Sequence, residues 1–341
     1  MCYWPSGKSY SSRSKETRET LMVLSDLDPG TSYEAHITTV SNRRTSEPYH
    51  IAFATDPDIP LDLAAACRGS TLVDVKWKKP RGLFDHFTVG WRLQDEEVKY
   101  KTRDTTKTDH TIAGLSPGTQ YEISVSSVSN RKESEPCSIV VQTDPASITA
   151  IHIDTGVDSI TLKWKRPEGK VDGYQLQLNG PKDPQEGKTF HVGETEEGEI
   201  HVAELTPGTT YFAKLLTTLN DQRSKPYCFK CSTKPAKCEP KCQSKGTDYL
   251  TIKWEAAIGE VGYYGVDLIE KAGSVRSKKI PRDSNTEATF DDLLPGTEYD
   301  VIIHTVTDSA DTQSDPLRVC AGIFIKCYFM LPSKITTTFD H

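Results

Sequence analysis

Apolar and polar residues alternate along most of this chain with a period of two. Tyr121, Ile123 and Val125 alternate with Glu122, Ser124 and Ser126, giving one apolar and one polar face. The same holds for Thr161-Leu162-Lys163-Trp164 and for Tyr174-Gln175-Leu176-Gln177-Leu178. Threonine, valine and isoleucine are frequent in these runs, and proline and glycine punctuate them. No long stretch carries a helical period. The pattern predicts short strands and an all-β chain.

Four blocks share the text Leu-x-Pro-Gly-Thr-x-Tyr, at Leu27–Tyr33, Leu115–Tyr121, Leu205–Tyr211 and Leu293–Tyr299. Their tyrosines, Tyr33, Tyr121, Tyr211 and Tyr299, are 88, 90 and 88 positions apart (121−33, 211−121, 299−211). A tryptophan closes an alternating run at Trp77, Trp164 and Trp254, at spacings of 87 and 90 (164−77, 254−164). Two markers with one period define an internal repeat. A unit of ~90 residues with about seven short strands predicts an antiparallel sandwich. In the Pro-Gly pair, proline presets φ and glycine accepts a positive φ, so the pair is a turn. The leucine before it is expected to plug the core. The tyrosine after it is expected to pack inward while its hydroxyl bonds back to nearby backbone. The tryptophan supplies the largest single burial, roughly 4–6 kcal/mol as an upper bound.

Tryptophan, then Leu-x-Pro-Gly-Thr-x-Tyr, then a strand ending near Thr-Asp-Pro resembles the fibronectin type III repeat, over about residues 1 to 322. The hairpin text around Val128-Ser129-Asn130-Arg131-Lys132 with the following Thr143-Asp144-Pro145 is similar, more narrowly, to ectodomain repeats of receptor-type tyrosine phosphatases. Tenascin- and fibronectin-like matrix proteins use similar loops. The resemblance implies tandem immunoglobulin-like sandwiches in an extracellular setting. Thr55-Asp56-Pro57, Thr143-Asp144-Pro145 and Thr233-Lys234-Pro235 mark the boundaries. They divide the chain into a partial repeat at 1–56, whole repeats at 57–144, 145–234 and 235–322, and an unassigned tail at 323–341. The first unit has its tyrosine motif but no tryptophan strand before it. It is therefore expected to be the C-terminal part of a repeat with an open core, and the chain a piece of a longer product.

With 341 residues and 35% hydrophobic content, the chain can build several cores. No run approaches the ~20 apolar residues of a spanning helix, so no transmembrane segment is expected. The first twenty residues lack the apolar stretch of a secretory signal. A net charge of −7 argues against nucleic-acid binding. No nucleophile-elbow, phosphate-loop, zinc-protease or dinucleotide motif occurs, nor the His-Cys-x5-Arg loop of a phosphatase. The expectation is a non-enzyme with no cofactor, no catalytic residues and no metal. No Asn-x-Ser/Thr sequon is present.

Nine cysteines leave at least one unpaired within the chain. Cys228, Cys231, Cys238 and Cys242 have a spacing that invites a tetrathiolate zinc site. Against zinc, positions three apart on a strand face opposite sides, and the central gap crosses a repeat boundary. Disulfides Cys231–Cys238, Cys67–Cys137 and Cys242–Cys320, or unpaired thiols, stay open. The acidic run Glu194–Glu199 lacks the spacing of a calcium loop and reads as a solvated loop.

The loop after the tryptophan strand and the hairpin after the tyrosine strand share one pole of such a fold. Repeat two places Lys78, Lys79, Arg81, Arg131 and Lys132 there, and repeat three Lys165, Arg166, Lys170, Arg223 and Lys225. Repeat one adds Arg43 and Arg44, whereas repeat four carries Glu255, Glu260, Asp308 and Asp311. Clustered cations suit a sulfated glycosaminoglycan or an acidic protein partner. The plainer alternative is solvated loops around a good hairpin turn. The functional expectation is a cell-adhesion or receptor ectodomain fragment acting as spacer and protein-binding array. Its alternatives are the ectodomain of a receptor tyrosine phosphatase, or an intracellular, cytoplasmic array of the muscle type.

Overall fold

The computed structural model describes residues 1–8, 12–94, 99–181 and 183–323, without the side chains of 183–186. The tail beyond Ile323, with Cys327, lies outside the described residues. Among those described there is no helix; every element is a strand.

Repeat two sets the pattern. One sheet joins β7 (Leu61–Cys67), β8 (Leu72–Lys78) and β11 (Asp109–Ala113), in the order β11-β8-β7. The facing sheet runs β10-β9-β12-β14, from β9 (His86–Leu93), β10 (Lys101–Thr105), β12 (Gln120–Ser129) and β14 (Cys137–Gln142). The short β13 (Lys132–Glu133) closes the hairpin after β12. All these pairs are antiparallel. Alternation along β8 buries Val73, Val75 and Trp77 and exposes Lys76 and Lys78, so the period of two separates core from solvent. Repeats three and four repeat both sheets in the same order. Each repeat has its own core cluster.

Repeat one differs. Its strands β1 (Cys2–Pro5), β2 (Arg13–Ser14), β3 (Ser32–Ile37) and β6 (Tyr49–Ala54) form a single sheet in the order β2-β1-β3-β6. The pair β4 (Val40–Ser41) and β5 (Arg44–Thr45) forms its hairpin. Leu21–Leu24 stands where the other repeats have the strand that pairs with the tryptophan strand. Repeat one has no tryptophan strand, so this segment forms no ladder, and Leu21 and Val23 are 77% and 69% exposed. Among the described residues, only Tyr3, Tyr33 and Ala35 are buried in its hydrophobic core.

Candidate functional site

The most regular feature is the contact between consecutive repeats. Three pieces of backbone build it: the Pro-Gly turn of one repeat, the loop after the tryptophan strand of the next, and that repeat's tyrosine-strand hairpin. The Leu83 amide donates to the Pro29 carbonyl at 3.1 Å, Lys170 to Pro117 at 3.4 Å, and Glu260 to Pro207 at 3.0 Å. The turn glycines Gly30, Gly118 and Gly208 and the loop glycines Gly82, Gly169 and Gly259 all have positive φ. A Cβ on Gly30 would lie 1.9 Å from the Leu83 oxygen, and one on Gly82 2.4 Å from the Pro29 oxygen. The other two junctions are equally tight. Only glycine permits two backbones to approach so closely in this conformation.

Side chains add to each clasp differently. At the first junction Ser129 Oγ and Asn130 Nδ2 both donate to the Gly30 carbonyl at 2.9 Å. Lys132 Nζ reaches the Ala54 carbonyl at 2.6 Å and the Asp56 carboxylate at 2.9 Å. At the second, Gln222 Nε2 donates to the Gln142 carbonyl at 3.1 Å. Gln142, Thr143 and Asp144 leave no slack for free tumbling.

The basic loops occupy this same pole, so they abut the preceding repeat and are not a free end. Lys132 is spent on the junction. Lys78 pairs with Asp62 at 2.7 Å, and Arg166 with Glu194 and Glu196 at 2.8 and 3.2 Å. Lys79 stands 6.0 Å over the Phe84 ring. Arg81, Arg131, Lys165, Lys170 and Arg223 have no ion-pair partner among the described residues and project at the junctions. Asn130 and Arg131 both take positive φ, the two central positions of a type I′ turn, which explains the Ser-Asn-Arg-Lys text locally. In repeat four Glu260 instead holds Arg282 at 3.1 Å.

The aromatic markers lie in the cores: Trp77, Trp164 and Trp254 are 4%, 4% and 2% exposed. Each meets an aromatic ring of the next strand edge-on: Phe87 at 5.4 Å, Tyr174 at 5.1 Å and Tyr264 at 5.6 Å. The tyrosine hydroxyls accept backbone N–H bonds five residues upstream. Asp28 donates to Tyr33, Ser116 to Tyr121 and Thr206 to Tyr211 at 2.9 Å, and Leu294 to Tyr299 at 3.2 Å. Leu115, Leu205 and Leu293 are buried beneath these turns.

The eight described cysteines are free thiols, the unpaired alternative of those left open above. Cys231 belongs to the core of repeat three and Cys238 to that of repeat four, where Thr305 Oγ1 meets it at 3.5 Å. Cys228 and Cys242 point to solvent, so the four thiols do not converge. Cys67 Sγ donates to the Gln142 carbonyl at 2.8 Å, placing it at the far end of β14 from Cys137. Gly322 N bonds Gly246 O at 2.7 Å, so Cys320 lies near the end of its neighbour strand and Cys242 near the start. Burial pushes the Cys231 thiol up to about 11, which keeps it protonated.

These sandwiches, with a buried tryptophan, a tyrosine corner and three-plus-four strand order, define a class of repeat, and comparison with known families agrees. Residues 58–140, 144–229 and 234–319 each match the fibronectin type III domain, and the chain belongs to that family. Among curated proteins it is similar to Tenascin-R of Rattus norvegicus, 25% identical over 304 residues, covering 88% of this chain and 22% of that protein. It is also similar to Tenascin of Mus musculus, 28% identical over 297 residues, covering 83% of this chain and 14% of that protein. The chain thus spans less than a quarter of the length of these relatives. Among solved structures, a two fibronectin type III domain segment from chicken tenascin aligns over 51% of this chain and 99% of its own, with a TM-score of 0.40 and 22% identity. Of the two narrower resemblances seen in the sequence, the tenascin-like one is the one these relatives carry. No helix among the described residues is long and apolar enough to cross a membrane.

Proposed function

We propose that this chain is a stiff, non-enzymatic stretch of an extracellular adhesion or matrix array. Its repeats hold binding sites elsewhere in a longer protein at fixed distance and orientation. The observation that carries this is the glycine-to-glycine clasp, built three times from the same backbone groups. A flexible tether needs none of it, and a string of independent modules would not repeat it. The similarity to tenascins supports the extracellular setting. Small-angle scattering of the whole chain is the test. An elongated particle whose length matches repeats stacked end to end is expected, and a distribution of compact and extended forms overturns the reading.

The unpaired cations at the junctions suit a sulfated glycosaminoglycan as one partner class. Retention on heparin at low salt, lost on charge reversal of Arg81 and Arg131, is the expected result. Passage through the column unretained removes that partner.

The eight free thiols favour a second reading, an array kept in a reducing compartment. Alkylation of thiols before lysis, followed by mass spectrometry, separates the two. Recovery of the chain from the medium supports the first, and a fully reduced chain confined to the cytosol supports the second. A receptor phosphatase reading needs a catalytic domain outside this chain, and extending the transcript would test it.

A further inference from the structure

We propose that the outer face of repeat one carries a two-histidine clamp, His36 and His50, for a divalent transition-metal ion of borderline softness. The two residues are direct cross-strand partners on β3 and β6. Tyr33 and Ala35 point into the core, so the alternation of β3 puts His36 on the opposite, solvent-facing side.

The ladder fixes which kind of pair they form. Ser6 N donates to Ser32 O, so even-numbered residues of β3 bond towards β1. Thr55 N donates to Thr31 O, so odd-numbered residues bond towards β6. His36 and His50 are therefore a non-hydrogen-bonded pair, the type in which facing side chains come closest. Their ring centroids are 3.8 Å apart at an interplanar angle of 74°. Trp4 stands edge-on to His36 at 4.6 Å and restricts its rotation from the other side. Among the described residues neither imidazole has a hydrogen-bond or ion-pair partner, so ring nitrogens on both are available.

Two imidazoles on a preformed sheet suit Zn²⁺, Ni²⁺ and Cu²⁺, and disfavour Ca²⁺ and Mg²⁺, which require oxygen. Cys2 continues the row across β1 opposite His36 as an exposed free thiol. No group of three or more His, Cys, Asp or Glu side chains is placed to hold a metal among the described residues. The clamp therefore supplies two ligands, and water completes the shell. Binding the second imidazole is intramolecular, which raises affinity over a lone histidine by roughly a hundredfold.

Calorimetric titration of the full chain with Ni²⁺ tests this. One equivalent bound well above background is expected. His36→Asn and His50→Asn should each weaken it by roughly a hundredfold, leaving only the background of the remaining histidines. Unchanged affinity in either variant, or no such equivalent in the parent chain, overturns the proposal. A second measurement needs no variant. Paramagnetic Ni²⁺ should broaden the Trp4 indole resonance first, because Trp4 touches His36. Broadening that begins at Trp77, Trp91, Trp164 or Trp254, or reaches no tryptophan, overturns it.

Discussion

Gly169 of repeat three passes so near Pro117 of repeat two that a methyl group on Gly169 would lie 2.4 Å from the Pro117 oxygen. The neighbour is backbone, which cannot rotate away. Gly169→Val should therefore open the second junction while each repeat stays folded. Scattering should show a flexible joint, and the Lys170-to-Pro117 bond should lose protection from hydrogen exchange. Gly114→Ala is the control. Gly114 also has positive φ, at +73°, but nothing lies within 4 Å of the added Cβ. It should cost about 1 kcal/mol of local strain and leave the particle's length unchanged. If both variants keep the parent's length, the clasp does not hold the repeats in line.

In each repeat the tyrosine corner ties one hydroxyl to one backbone amide. Tyr121→Phe leaves the Ser116 N–H without its acceptor and should destabilise repeat two by roughly 0.5–1.5 kcal/mol. Trp164→Ala removes the ring that meets Tyr174 and should cost about 3–5 kcal/mol, enough to threaten repeat three alone. Melting followed repeat by repeat checks both. An unchanged transition for Trp164→Ala would contradict its place at the centre of that core.

The two-sheet sandwich and its aromatic centre were legible because both depend on patterns within one repeat. Alternation marks faces, and Trp77 and Tyr121 mark positions that only a buried ring fills. The junction is less legible, although the sequence carries its mark. Gly82, Gly169 and Gly259 each follow a tryptophan by five residues (82−77, 169−164, 259−254). Phe87, Tyr174 and Tyr264 follow by ten (87−77, 174−164, 264−254). A loop glycine carries no hydrophobic signal, and its reason lies in the neighbouring repeat. The basic loops face the preceding repeat, and Lys132, Lys78 and Arg166 already have partners there. The open question of whether Cys67 pairs with Cys137 is answered by direction. Strand order brings β7 beside β14, but only their direction decides that Cys67 meets Gln142 and not Cys137. The His36–His50 pair needs the register of β3 on β6, which alternation alone does not give.

Thiol accessibility follows from that placement. Cys2, Cys228 and Cys242 are exposed, while Cys231 and Cys238 are buried in separate cores. A disulfide reagent at neutral pH should modify the first three rapidly. Cys231, held protonated by burial, and Cys238 should react only on the timescale of unfolding. Cys231→Ser should destabilise repeat three by placing an unpaired hydroxyl in its core, by about 1–3 kcal/mol. Rapid modification of Cys231 or Cys238 in the folded chain would show that these cores open readily.

Arg92 and Glu122 are cross-strand partners on β9 and β12. Arg92 Nε and Nη2 reach Glu122 Oε2 at 2.8 and 2.7 Å. The Arg92 guanidinium also lies 4.6 Å over the Tyr100 ring. Hydrogen bonds from Arg92 first, and then from Tyr100, hold the Glu122 carboxyl below its ordinary value of 4.5. A carboxylate with a depressed value stabilises the folded state above its unfolded value, and that contribution is lost as pH falls through the folded one. Glu122→Gln should therefore melt below the parent at pH 7, by less than about 1 kcal/mol because the pair is partly solvated and screened by salt. The difference should shrink as pH drops beneath 4.5, where the parent's own carboxyl takes up its proton. Melting curves of both proteins across that window, at low salt, decide the matter. A gap that stays constant with pH would mean that the charge on Glu122 contributes nothing to holding β9 against β12.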